Sequence, residues 1–260
     1  MDIRFCEHGT YFGPQSTLRY YFKEEFDMRT LKKTLCLVLV LSMICSFGIL
    51  GANAADFNDQ GKINYEEAVD VMTALGVVQG IGDSTFDPQG TFTRAQATKI
   101  LAYMLLGEAT AEALPAQSDF SDVPASFWAS KYIAFGVETG YINGRGDGTF
   151  DPDGQLTGYE WAKMLLCALG YDTKVEQFVG NSWAINVAKY ALRSDIDLFE
   201  GNKGKDYNAA ATREEATLYA FNTLTRTMVE YETKGTTIIV GGVEIATGAS
   251  KAEKIKEDGN

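Results

Sequence analysis

Histidine is almost missing from this 260-residue chain: the single copy, His8, lies close to the N-terminus. Cysteine is scarce too, and Cys6, Cys36 and Cys45 all precede residue 46. Only Cys167 stands further along, inside the apolar run Met164 to Leu169, where a lone thiol reads as a core side chain and not as half of a disulfide. Beyond residue 54 the chain therefore has no histidine for a zinc site or for a Ser-His-Asp triad, and no cysteine framework. Positive charge is in short supply as well. Residues 55–260 carry 17 Lys and Arg against 30 Asp and Glu, a formal charge of −13, which argues against nucleic acid as a partner.

Long apolar runs are limited to one, Leu35 to Leu50. Its length of about 16 residues falls short of the roughly 20 that cross a bilayer. Arg29, Lys32 and Lys33 precede it and Gly51-Ala52-Asn53-Ala54 follows, which is the layout of a secretory signal peptide with an Ala-x-Ala cleavage site. The expectations are a signal peptide over 28–54, a start at Met28, a mature N-terminus at Ala55 and no membrane span in the mature form. Residues 1–27 are then an upstream extension or a mis-assigned start. Ser42-Met43-Ile44 ahead of Cys45 does not suit a lipid-modified cysteine.

What the chain has in abundance is self-similarity. The segment Gly80 to Thr93, GIGDSTFDPQGTFT, recurs at an offset of 64 as Gly144 to Thr157, GRGDGTFDPDGQLT, with nine of 14 positions identical. The flanks repeat with it: Val69 to Val78 matches Ile133 to Ile142, and Ala97 to Gly107 matches Trp161 to Gly170. Val69, Met72, Leu75 and Val78, then Ile100, Leu101, Met104 and Leu105, fall at helical spacing, so each unit reads as helix, glycine-rich loop, helix. Thr93 with Gln96, and Thr157 with Glu160, have the spacing of a capping box at the start of the second helix. A third, degraded copy runs through Trp183 and Ala188 to Leu198, then Gly201. It ends in Thr212-Arg213-Glu214-Glu215, again with capping-box spacing, and a helix over 216–224.

Several motifs carry a resemblance: Phe120-Ser121-Asp122-Val123 followed by Trp128-Ala129, then Gly140-Tyr141-Ile142-Asn143-Gly144, Asp147-Gly148-Thr149-Phe150-Asp151-Pro152, and the closing Thr93-Arg94-Ala95-Gln96. Together they resemble the S-layer homology domain, over about residues 56–228. The resemblance implies an all-α fold: three helix–loop–helix repeats in a pseudo-threefold arrangement around a central three-helix bundle, with binding grooves between neighbouring repeats. The repeats are expected at 55–112, 113–175 and 176–230. It also implies a secreted protein of the cell wall or S-layer, non-catalytic and without metal or cofactor. Its partner would be a pyruvylated secondary cell-wall polysaccharide, with other S-layer subunits as further partners.

The residues bear on that expectation directly. A pyruvate ketal is a fixed carboxylate, which a guanidinium meets in planar two-bond geometry. Arg94 and Arg213 follow the capping Thr93 and Thr212 at helix N-termini, where backbone N–H groups and the macrodipole favour an anion. Gly146 lets a loop backbone approach a ligand, Asp147 and Asp122 flank that loop, and Trp128 and Trp183 offer flat surfaces for a sugar ring. Each has a plainer alternative: a chain-reversing turn for the glycine loop, core packing for the tryptophans, and solvation or a salt bridge for the arginines. The second repeat reads Thr157-Gly158-Tyr159-Glu160 and lacks the arginine, and the first opens Phe57-Asn58-Asp59, so one or two competent grooves are expected.

Asp56, Asn58, Gln60, Gly61, Ile63 and Glu67 also match calcium-loop positions, but Gln60 is a weak fifth ligand and no helix leads in. A calcium-dependent or protein–protein interaction module is the alternative function. Paired acids for glycoside hydrolysis are not singled out by anything in the sequence. Residues 231–260 change character, with Thr236 to Val240, Gly241-Gly242 and Val243 to Ile245 reading as a hairpin, the start of a further domain or a linker.

Overall fold

The computed structural model of the chain describes residues 57–255. The expectations for 1–27 and for the signal peptide, and Asp56, lie outside the described residues. The described part is mostly helical. It has seven α-helices: α1 (Glu66–Ala74), α2 (Arg94–Leu106), α3 (Glu108–Glu112), α4 (Ser130–Glu138), α5 (Gly158–Ala168), α6 (Trp183–Ala191) and α7 (Arg213–Leu224). A 3-10 turn covers Gln60–Lys62, and four short strands close the chain: β1 (Val229–Glu230), β2 (Thr236–Val240), β3 (Val243–Thr247) and β4 (Glu253–Lys254). β2 pairs antiparallel with β3, and β1 with β4.

The second helix of each segment starts as its sequence predicts. Thr93, Thr157 and Thr212 accept from the backbone N–H of Gln96, Glu160 and Glu215, whose side chains accept in return from the threonine N–H. The first helices stop earlier than apolar spacing suggests. α1 gives way to Gly76 at φ +71°, and the N–H groups of Val77 and Val78 both donate to the Met72 carbonyl. α4 ends alike at Gly140, φ +78°, with Tyr141 and Ile142 donating to Gly136. Glycine takes that left-handed turn without the strain a Cβ brings, and the apolar residues after it still pack inward.

Packing links each segment to another. α2 lies on α4, α5 on α6, and α1 on α7, while α5 also contacts α2 and α7. Single β-bridges join Thr91 to Thr212, Thr93 to Gln155, and Thr157 to Ala210. Trp161 is fully buried at their centre, edge-on to Phe92 at 5.1 Å, and its indole N–H donates to the Ala216 carbonyl. The core tryptophan is thus Trp161; Trp128 is 51% exposed and Trp183 half-buried.

The C-terminal segment packs back on the helical body. Val229 is buried and donates to the Leu169 carbonyl, Tyr231 donates to Glu176, and Ala246 donates to the Lys174 carbonyl. Lys234 pairs with Asp172 and Lys174 with Glu244. Ile238, Ile239 and Val240 on β2 remain exposed.

Candidate functional site

The glycine-rich loops are held by a carboxylate each. Asp122 accepts from the N–H groups of Phe150 and Asp151 at 2.8 and 2.7 Å, and Asp59 accepts from Phe86 and Asp87 at 2.8 Å each. Desolvation pushes both carboxyls up, but the paired backbone donors outweigh it and leave both below the usual carboxylate range. Phe57 against Phe86 and Phe120 against Phe150 have the same spacing and tilt, 5.4 Å and 48°. The opening Phe57-Asn58-Asp59, which departs from the family motif, therefore does the same work as Phe120-Ser121-Asp122.

Onto each of these loops a neighbouring segment lays an arginine. Arg94, the first residue of α2, donates from Nε to the Phe150 carbonyl at 2.9 Å and from Nη2 to the Asn143 carbonyl at 2.7 Å, with Cζ 4.5 Å from the Phe150 ring centre. Arg213, the first residue of α7, repeats this on the first loop: Nε to Phe86 at 3.0 Å, Nη2 to Gln79 at 3.1 Å, Cζ 5.2 Å from the Phe86 ring. Burial lowers the Arg94 guanidinium to about 10, Arg145 adds to this, and Glu160, Asp151 and Asp122 oppose it. Burial likewise lowers Arg213, against Asp87 and Asp59. At about 10, Arg94 stays charged at neutral pH.

The helix N-termini are not open to an anion in the way the sequence suggests. Arg94 and Ala95 donate their backbone N–H groups to Gly154 and Pro152, and Arg213 and Glu214 donate theirs to Gly90 and Pro88. With the third N–H capped by threonine, the first turn is already occupied by protein. What stays open around them is loop surface; Arg94 itself is 5% exposed and Arg213 half-buried.

That surface differs between the two junctions. Beside Arg94 stands Arg145, exposed and paired with Asp151 at 2.8 Å; the matching place in the first loop is Ile81, 56% exposed. Gly146, at φ +90°, and Asp147 form the open tip, where the Asp147 carboxylate accepts from the N–H and hydroxyl of Thr149. Trp128 is not at this spot. Tyr132 packs on Tyr103 and Gly136 faces Thr98, so α4 runs against α2. Tyr103 stands nine residues, about 13 Å, along α2 from Arg94, and Trp128 packs 6.5 Å from the Tyr132 ring that meets Tyr103. Trp183 sits under the Lys163 ammonium at 5.8 Å, and burial lowers the pKa of that lysine.

Arg145, Asp59, and the two phenylalanines beneath the guanidinium groups were not singled out by sequence reasoning. Phe86 and Phe150 are among the identical positions of the two loops at their offset of 64, but nothing in that match says that an arginine from another segment covers each ring.

Residues 56–98 and 119–160 match the S-layer homology domain. The chain is 33% identical over 147 residues to a cell surface protein of Thermoanaerobacter kivui, covering 55% of this chain and 19% of that protein. It is 31% identical over 185 residues to the surface-layer 125 kDa protein of Lysinibacillus sphaericus, covering 67% of this chain and 15% of that one. An endoglucanase of Bacillus sp. (strain KSM-635) is 29% identical over 154 residues, 55% of this chain and 16% of the enzyme. The chain thus spans less than a fifth of the length of these relatives. The S-layer homology domains and the surface-protein relatives place it among secreted proteins of the cell wall and surface. No helix among the described residues is long and apolar enough to cross a membrane.

Proposed function

We propose that the chain anchors an exported protein non-covalently to the cell wall, by seating an anionic, pyruvylated wall polysaccharide at junctions between neighbouring helix–loop–helix repeats. The signal peptide over 28–54 directs export, and the segment from Trp183 to Leu224 is the third repeat of a pseudo-threefold module. The module is non-catalytic and takes no cofactor. One observation carries the reading: the same junction is built twice, with Arg94 on the Asn143–Phe150 loop and Arg213 on the Gln79–Phe86 loop. A guanidinium clamped by carbonyls through one edge keeps a fixed orientation, which is what planar recognition of a ketal carboxylate needs.

In this reading Arg94 and Arg213 set the charge and shape of each groove, Thr93 and Thr212 hold their helix starts, and Asp122 holds the loop. Gly146 and Asp147 give the backbone rim, and the half-exposed Trp128 and Trp183 give apolar faces for sugar rings further along the glycan. Other S-layer subunits are further partners.

Co-sedimentation with purified cell walls tests it. Binding should drop at least tenfold once the pyruvate ketals are removed chemically, and Trp128→Ala should weaken binding while leaving the fold intact. Binding that ignores the ketals, or that depends on calcium alone, would refute the assignment and favour an interaction module.

A further inference from the structure

We infer that Asn143 is a site of spontaneous modification: its side-chain amide cyclises onto the Gly144 nitrogen, and the carboxylate that replaces it pairs with Arg94, so that this junction loses its anionic ligand as the protein ages.

Asn143-Gly144 is the chain's one Asn-Gly pair. Glycine is the least hindered residue that can follow an asparagine, and here it cannot be exchanged. A Cβ at 144 would collide with the Phe120 ring and stand 2.9 Å from the Thr149 carbonyl oxygen. Asn143 is exposed, and among the described residues neither its side-chain amide nor the Gly144 N–H has a hydrogen-bond partner. The reacting groups are therefore free. The loop continues through Gly146 and Gly148 at φ +90° and +88°, a backbone with low barriers to the rotation that brings them together.

The Gly144 nitrogen gives its proton to solvent and bonds to the Asn143 Cγ. The Cγ–Nδ2 bond breaks, and ammonia leaves with a proton from solvent, closing a five-membered succinimide. Water then opens the ring at either carbonyl. Opening at Cγ gives an aspartate in an ordinary chain. Opening at the main-chain carbonyl gives isoaspartate: the chain now runs through Cγ, and the former main-chain carbonyl is a free carboxylate. That carbonyl oxygen is the one to which Arg94 Nη2 donates at 2.7 Å. A neutral acceptor thus becomes a charged partner, and the positive charge that a ketal carboxylate would meet is taken up within the chain.

The first loop is spared this. Gln79-Gly80 stands at the same place, with Arg213 Nη2 donating to the Gln79 carbonyl, and Phe57 and the Thr85 carbonyl fix its glycine in the same way. A glutamine must close a six-membered ring, which is far slower, and the Gln79 side-chain oxygen also accepts from Lys99. Two junctions alike in their arginines differ in lifetime.

The loss of ligand rests on the proposed function; the modification does not. In the full chain kept in warm, mildly alkaline buffer, peptide mapping by mass spectrometry should find Asn143 converted to the acid at least tenfold faster than Asn181 and Asn208, which are also exposed. Equal rates would overturn the site. The aged chain should sediment with purified walls at least threefold less than the fresh chain, whereas aged and fresh Asn143→Gln should match each other. A fully converted chain that binds like the fresh one would overturn the loss of ligand. If no fresh chain binds walls, the anchoring proposal fails, and nuclear magnetic resonance still decides the pairing: the Arg94 side-chain N–H signals should move on ageing in the parent and stay in Asn143→Gln. Unmoved signals in a converted chain would overturn it.

Discussion

Arg94 shows how one side chain answers to two demands. Its relative exposure is 5%, and two of its five N–H donors are already spent on main-chain carbonyls of the next segment. Removing it leaves two carbonyls short of a charged donor and uncovers the Phe150 ring. Arg94→Ala is therefore expected to cost about 2–4 kcal/mol, the range for breaking buried, charge-assisted hydrogen bonds. Arg94→Lys should recover little of this, since an ammonium cannot reproduce the Nε and Nη2 fork. Chemical denaturation of the three chains checks it; a lysine variant as stable as the parent would mean that charge alone matters. The same measurement must accompany any wall-binding test of the arginines, because loss of binding by an unfolded junction says nothing about contact with glycan.

Between elements, tyrosine hydroxyls converge on carboxylates at the edge of the core, the exposed Glu112 and the half-buried Glu176. Glu112 on α3 accepts from the Tyr103 hydroxyl of α2 and from Lys131 and Tyr132 of α4. Lys131 first, then the two hydroxyls, hold its carboxyl down at about 2, while burial and Glu112 raise Tyr103 to about 12. A folded-state pKa below the unfolded value of 4.5 means that the unfolded chain takes up the proton first. This contribution is complete above about 4.5 and fades as pH falls towards about 2. Thermal midpoints across that window should fall with pH in the parent and fall less in Glu112→Gln; parallel curves would show that the cluster is not pH-linked. Very little of this was legible in the sequence. The capping boxes were, because Thr93, Thr157 and Thr212 recognise their partners three residues away through local geometry. The helix ends at Gly76 and Gly140 and the Glu112 cluster depend on which segments meet, and no periodicity within a segment encodes that. The arginines were found as charges at helix starts, but their acceptors, 49 to 134 residues distant, were not.

Across the whole molecule, the C-terminal strands bear on stability although they belong to no repeat. Glu176 repeats the Glu112 device at an offset of 64, accepting from Tyr190 of α6 and from Tyr231, which lies beyond the last helix. The Tyr231 hydroxyl also accepts from the Asp172 N–H, and the buried Val229 lies against Gly170. These contacts tie the turn after α5 to the chain's last described stretch, so the hairpin that cannot stand alone is supported by the helices it braces. A chain ending at Met228 should thus unfold about 5–10 °C below one ending at Ile255, given about 2–4 °C per kcal/mol for a body of this size. Glu176→Gln in the longer chain should reproduce part of that loss and add little to the truncation, because both remove the same hydroxyl–carboxylate pair. Differential scanning calorimetry of the four chains decides it: an unchanged midpoint on truncation would make residues 229–255 a passenger, and full additivity would separate Glu176 from the tail.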